Sequence, residues 1–201
     1  MIFVIGLGPG DCDLLTPLAS KQIAKADWVV GSERQLALVH HQHAQIHPLD
    51  KNLSDLIVWL RQHQHENIAV LASGDPMLYG IGKLINEQIK DQDISIVPGI
   101  SSVQYLLAKV GLDMNDFYLT SSHGKTPDFN FLLQHKKISL MTDKNMGPFQ
   151  IAQEIVTRKM ARIMIIGEML SYPNEKITIL PATEVIEREY QMNVVVVIDE
   201  R

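Results

Sequence analysis

Three short runs rich in Val, Ile and Ala, residues 2–5, 68–72 and 94–97, each pass into a glycine-bearing turn: "GLGPGD", "SGDP" and "PGISS". This recurrence constrains the fold more than any other feature of the chain. Short apolar runs bounded by turn residues, with helical patterns between them, belong to parallel α/β architecture. Crossover helices place the carboxyl ends of parallel strands on one edge of the sheet, and ligands bind there. Three glycine turns on that edge outline the floor of a single crevice. Asp75 and Ser101 are expected to cap the helices that follow them. Gly, Asp, Pro and Ser are also the ordinary residues of βα turns, and for one turn alone that plainer account is preferable. Three on one edge, beside a first loop of unusual length, favour a binding site.

The first loop narrows the ligand. Glycines at 6, 8 and 10 resemble the start of the dinucleotide fingerprint G-x-G-x-x-G. The third glycine's position is held by Asp11, a carboxylate that would repel a pyrophosphate. Pro9 removes an N–H from any anion nest. The helix signal comes only at Thr16, as N-cap, and Pro17, at the first helical position. Residues 6–16 therefore cradle a ligand that is not a pyrophosphate. The rival is an NAD-dependent oxidoreductase, for which Glu33, after the second strand, would be the ribose-binding acid. A non-catalytic subunit that senses a cofactor is a third possibility.

The chain reads as strand 2–5, helix 17–25, strand 28–31, helices 34–40 and 53–64, strand 68–72, helix 76–90, strand 94–97 and helix 101–110. After a turn-rich link at 111–116 come strand 117–121, helix 129–135, strand 138–142, helix 147–159, strands 162–166 and 176–180, helix 183–189 and strand 193–198. Two domains are expected, 1–111 and 117–201. The formal charge of −5 offers no basic face for nucleic acid. Cys12, the only cysteine, leaves no internal disulfide and no cysteine-rich metal site. The N-terminus lacks the basic region of a secretory signal, and no apolar run nears the roughly 18 residues of a membrane span, so a cytoplasmic location is expected. The histidines of "VHHQHAQIH" (His40, His41, His43, His47) lack a completing Cys or Glu, and no metal is expected there.

"GLGPGD", "LASGDPMLYGIG" and "VPGISSVQYLLAKVGL" stand in the order and spacing of the tetrapyrrole methylases, a family that uses S-adenosylmethionine. "VVGSERQL", "SSHGK", "LMTDKN", "IGEMLSYPNEKI" and "EYQMNVVVVI" further resemble its carbon-5 methyltransferase group in cobalamin biosynthesis, from residue 2 to 198. The resemblance implies a tetrapyrrole methylase fold: two small α/β domains with the cofactor cleft between them. By motif, the cofactor would touch Pro9, then Ser73, Gly74, Asp75 and Leu78, then Ser101 and Ser102. Thr142 or Asp143, and Gly167 or Glu168, would close the site. The substrate would be a corrin precursor, whose carboxylates need basic groups; Arg34 and Lys125 are the candidates ahead of Lys83. His123 is a candidate proton-transfer group. Transfer from a sulfonium to carbon is an in-line displacement, so orientation and water exclusion suffice and no protein nucleophile is required. The resemblance also implies a homodimer and a separate decarboxylating carbon-15 methyltransferase (CbiT type). Because each glycine-turn motif occurs once and the chain stops at Arg201, a single methyl transfer, at carbon 5, is expected.

Overall fold

The computed structural model describes every residue except 42, 51, 91, 92, 123, 125 and 201. It divides into two compact units, Met1–Ser101 and Ser102–Arg201. The first contains β1 (Ile2–Gly6), α1 (Pro17–Ala24), β2 (Trp28–Gly31), α2 (Glu33–Leu36), β3 (Gln45–Pro48), α3 (Leu53–Gln62), β4 (Ile68–Ala72), α4 (Ile81–Gln88) and β5 (Ile94–Val97). The five strands pair in the order β3-β2-β4-β1-β5, every pair parallel.

Parallel strands covered on both faces need apolar side chains at every position, and the short Val/Ile runs supply them. Ile2, Val4, Ile68 and Val70 point to one face, against Leu56 and Leu60 of α3 and Ile85 of α4. Ile5, Val29, Ala69 and Leu71 point to the other, against Ala19 and Ile23 of α1. Each Val, Leu or Ile side chain among them, taken fully out of water, contributes roughly 1.5–3 kcal/mol. Thr16 starts α1 as expected, its Oγ1 accepting from the Ala19 N–H at 3.2 Å, with Pro17 in the first turn.

The second unit contains α5 (Ser102–Val110), β6 (Phe117–Ser121), α6 (Phe129–Leu132), β7 (Lys137–Met141), α7 (Pro148–Thr157), β8 (Arg162–Glu168), β9 (Lys176–Pro181) and β10 (Asn193–Asp199). Its sheet runs β6-β7-β10-β8-β9. Val195 and Val197 of β10 pack with Ile151 and Ile155 of α7. Val194 and Val196 face Val103, Leu106 and Leu107 of α5. Burial on both faces explains the unbroken "VVVV".

Several expectations are corrected. The second sheet is mixed, since only β6 and β7 run parallel and β10 is antiparallel to both its neighbours. α5 belongs to the second unit, because its apolar face packs on β8 and β10; the division therefore falls before the expected link at 111–116. The stretch between the helices expected over 34–40 and 53–64, where no strand was expected, contains β3, paired to β2. The helix expected over 183–189 is a short 3-10 turn, Ala182–Glu184, followed by irregular chain. Among the described residues no helix is long and apolar enough to cross a membrane.

Candidate functional site

Because β1 lies between β4 and β5, the turns after these three parallel strands leave the sheet side by side. The glycines let them pack backbone on backbone. A Cβ on Gly6 would lie 2.5 Å from the Gly99 nitrogen and 2.7 Å from the Gly74 carbonyl oxygen. Gly8 and Gly74, both at positive φ (81° and 63°), exchange hydrogen bonds of 3.2 and 2.8 Å. At Gly6 and Gly99 the room left by the missing Cβ is thus taken up by the neighbouring turns.

Asp75 ties the second turn to the third. Its Oδ1 accepts from the Met77 N–H at 2.8 Å and its Oδ2 from the Gly99 N–H at 3.2 Å. It does not cap α4, which begins six residues later with Gly80 as N-cap, so the helix expected from Pro76 is corrected to Ile81–Gln88. Ser73, one residue before Gly74, accepts at Oγ from Arg34 Nη2 (3.0 Å) and Gln35 Nε2 (3.2 Å). Both donors sit on α2, whose start is set by a capping box between Ser32 and Gln35. Arg34 is thereby brought beside the second turn. Pro9 and Ser101 are buried, Leu78 half-buried.

Residues 6–16 carry two carboxylates and no Lys or Arg. Asp11, Cys12 and Asp13 have ligand atoms within 4.8 Å of one another, but Asp11 Oδ1 already accepts from the Asp13 N–H at 2.9 Å, capping a 3-10 turn. This acidic loop suits a ligand carrying positive charge and hydroxyls rather than phosphates.

In the second unit, β7 and β8 are both antiparallel to β10, so their carboxyl ends share an edge with the start of β10. There Thr142 Oγ1 lies 2.9 Å from the Asn193 carbonyl oxygen and 2.8 Å from Asn193 Oδ1, and can donate to either. Asp143 holds its own loop: Oδ1 accepts from the Asn145 and Met146 N–H groups at 2.9 Å, and Oδ2 from Gly124 at 3.2 Å. Gly167 has a packing reason to be glycine, since a Cβ there would meet Leu170 Cδ2 at 2.7 Å and Leu106 Cδ1 at 3.0 Å. Glu168 is buried and paired with Arg188, whose Nη1 donates to Oε1 at 3.0 Å; the Gln191 N–H adds a bond of 3.1 Å. Burial opposes the charge on Glu168, but these bonds outweigh it and hold the carboxyl below the usual range. Arg188 also lies over the Tyr190 ring, 3.8 Å from its centroid. Ser102 opens α5.

Arg188, Asn193 and Gln35 escaped sequence reasoning. Only Gln35 had a local signal, three residues after the N-cap Ser32. Arg188 reaches Glu168 because β10 pairs with β8 in a register that sets Asn193 opposite Glu168. His123 and Lys125 lie outside the described residues. Lys83 pairs with Glu87 at 3.7 Å on an exposed helix face. Of the histidine run, His47 stacks on Trp59 at 4.1 Å. Burial lowers its pKa, the nearby His63 adds to this, and Asp50 opposes it.

The family described as "Tetrapyrrole (Corrin/Porphyrin) Methylases" matches residues 1–186. A cobalt-precorrin-7 C(5)-methyltransferase of Salmonella typhimurium is 43% identical over 202 residues, covering 100% of both proteins. The crystal structure of the precorrin-6Y methylase CbiE of Archaeoglobus fulgidus superposes with a TM-score of 0.80 at 26% identity, covering 100% of this chain and 99% of that one. A uroporphyrin-III C-methyltransferase of Thermus thermophilus, solved with S-adenosylhomocysteine, shares the fold (TM-score 0.78, 22% identity, 98% and 96% coverage). The chain belongs to the tetrapyrrole methylase family.

Proposed function

We propose that this protein is an S-adenosylmethionine-dependent C-methyltransferase of cobalamin biosynthesis that adds one methyl group to carbon 5 of a cobalt-precorrin-7-type corrin precursor. The observation that carries this reading is the 43% identity, over the whole of both chains, to the Salmonella enzyme of that name. The cofactor assignment draws on the acidic, phosphate-averse first loop and on the S-adenosylhomocysteine held by a neighbour of the same fold.

In this proposal Pro9, Ser73, Gly74, Asp75, Leu78 and Ser101 form the cofactor's surroundings in the first unit. When bound, S-adenosylmethionine supplies the electrophilic methyl carbon, and carbon 5 of the macrocycle supplies the electron pair. The protein's part is orientation and exclusion of water. Asp75 locks two glycine turns together, so backbone donors and acceptors are pre-placed and need not reorganise during transfer. Arg34, held beside the second turn by its bond to Ser73, is the cation proposed to meet a carboxylate of the substrate. A separate enzyme would carry out the carbon-15 methylation and decarboxylation, and a homodimer is the proposed assembly.

The test is mass spectrometry of the product formed by purified protein from S-adenosylmethionine and cobalt-precorrin-7. A gain of one methyl mass is expected; a second methyl or loss of carbon dioxide would defeat the single-methyl reading.

A further inference from the structure

Among the described residues of the first unit, Tyr79, which lies between the second glycine turn and α4, is the one non-glycine residue at positive φ. Tyr79 has φ 55°, the left-handed region that a bulky side chain rarely occupies. Such strain persists only where the surroundings over-determine it. Here they do. Asp75 accepts the Met77 N–H through its side chain, and its carbonyl accepts the Leu78 N–H at 3.2 Å. The Gly82 N–H then donates to the Pro76 carbonyl at 3.0 Å, closing the turn from the other side. Two glycines make that closure possible. A Cβ on Gly80 would lie 2.6 Å from the Pro76 oxygen, and one on Gly82 2.7 Å from the same atom and 2.9 Å from Met77 Sδ.

The outcome of this construction is a pair of large apolar side chains turned outward. Pro76 is buried and Leu78 half-buried, while Met77 is 51% and Tyr79 54% exposed. A turn that only had to join β4 to α4 could place Gly or Asn at the strained position and polar residues on its outside. This one instead holds an aromatic ring and a polarizable thioether at the carboxyl edge of the sheet, directly beyond the proposed cofactor turn.

We propose that Met77 and Tyr79 form the rest on which the broad face of the tetrapyrrole lies. This deepens, and rests on, the methyltransferase reading above. An aromatic ring packs against the broad apolar face of such a macrocycle, and a flexible thioether adapts to its uneven surface. The division of labour is then simple: cations such as Arg34 take the substrate's carboxylates, and the 77–79 turn takes its apolar face.

Glycine suits φ 55° better than tyrosine does. Tyr79→Gly relieves the strain at φ but adds freedom to the unfolded chain, so its unfolding temperature should stay close to the parent's, and circular dichroism of both proteins separates lost activity from misfolding. With cobalt-precorrin-7 as substrate its KM should rise about 10-fold, the loss of one good stacking contact. The dissociation constant for S-adenosylhomocysteine should stay within about twofold of the parent's, as for a contact made to substrate alone. Tyr79→Phe should restore the KM, since the ring and not the hydroxyl is the contact. A Tyr79→Gly protein with parental KM would overturn the proposal, as would a parallel loss of S-adenosylhomocysteine affinity, which would make the turn part of the cofactor site. A parent that neither binds nor methylates cobalt-precorrin-7 would instead remove the methyltransferase reading, and this inference with it.

Discussion

Replacing Gly99 by Ala probes the packing on which the candidate site depends. A Cβ there would sit 2.8 Å from both the Cα and the carbonyl carbon of Gly6, and closer still to the carbonyl oxygen of Gly74. All three are backbone atoms, so no side chain can swing aside. If Gly74 retreats, its two hydrogen bonds with Gly8 stretch; if Gly99 retreats, its N–H leaves Asp75. Whichever turn gives way, roughly 1 kcal/mol per bond amounts to about 1–2 kcal/mol; with the forced backbone shift added, the change should cost about 3 kcal/mol, the upper end of the range for overpacking. Gly31→Ala is the control: its Cβ would meet only side-chain atoms at the closest approaches, Leu71 Cδ1 at 3.1 Å and Leu71 Cβ at 3.3 Å. A rotamer change can move Cδ1, and Leu71 Cβ has to give by only a few tenths of an ångström, at a cost of about 1 kcal/mol. Both tryptophans, Trp28 and Trp59, lie in the first unit with ring centroids 5.1 Å apart. Urea unfolding followed by tryptophan emission therefore reports on this unit alone. With a slope of about 2 kcal/mol per molar urea, the Gly99→Ala midpoint should fall by about 1.5 M. Binding of S-adenosylhomocysteine, measured by calorimetry, should weaken in parallel. A midpoint equal to that of Gly31→Ala, with parental affinity, would refute the idea that the three turns are locked backbone on backbone.

Two further substitutions test the anchors of the site. Asp75→Ala removes the acceptor for the Met77 and Gly99 N–H groups and should cost about 1–2 kcal/mol by the same urea measurement; it should also weaken S-adenosylhomocysteine binding, and equal affinity would remove Asp75 from the cofactor's surroundings. Glu168→Gln tests the pair with Arg188. The folded state holds the Glu168 carboxyl below its ordinary 4.5, so its contribution is complete above that pH and is lost as pH falls through the lower folded value. Near neutral pH the variant should be less stable by about 1–2 kcal/mol, below the cost at a fully buried pair because the Arg188 side chain is 31% exposed. The deficit should shrink as the medium is acidified below 4.5, followed by circular dichroism; a deficit independent of pH would show that the ion pair contributes nothing.

The sequence by itself determined the elements whose signals are local. β2, β4 and β5 were legible to the residue because each is a short apolar run between turn residues, and α1 because Thr16 and Pro17 mark its start. The three glycine turns were legible as neighbours once parallel pairing was inferred, since that topology leaves their strand ends on one edge. What the tertiary structure decided lies wherever a residue's state depends on a distant partner. β3 has an exposed, non-alternating pattern and ends in Pro48, so nothing local marks it as a strand; pairing with β2 makes it one. The mixed second sheet, with β10 inserted between β7 and β8, sets Asn193 beside Thr142 and brings Arg188 to Glu168. α4 begins at Ile81 because the turn before it closes through Asp75, Pro76 and Gly82 and forces Tyr79 to a positive φ. Caps and periodicity are written within a turn or two of chain, whereas strand register and the meeting of Gly6, Gly74 and Gly99 exist only after long loops have closed, so no local pattern can encode them.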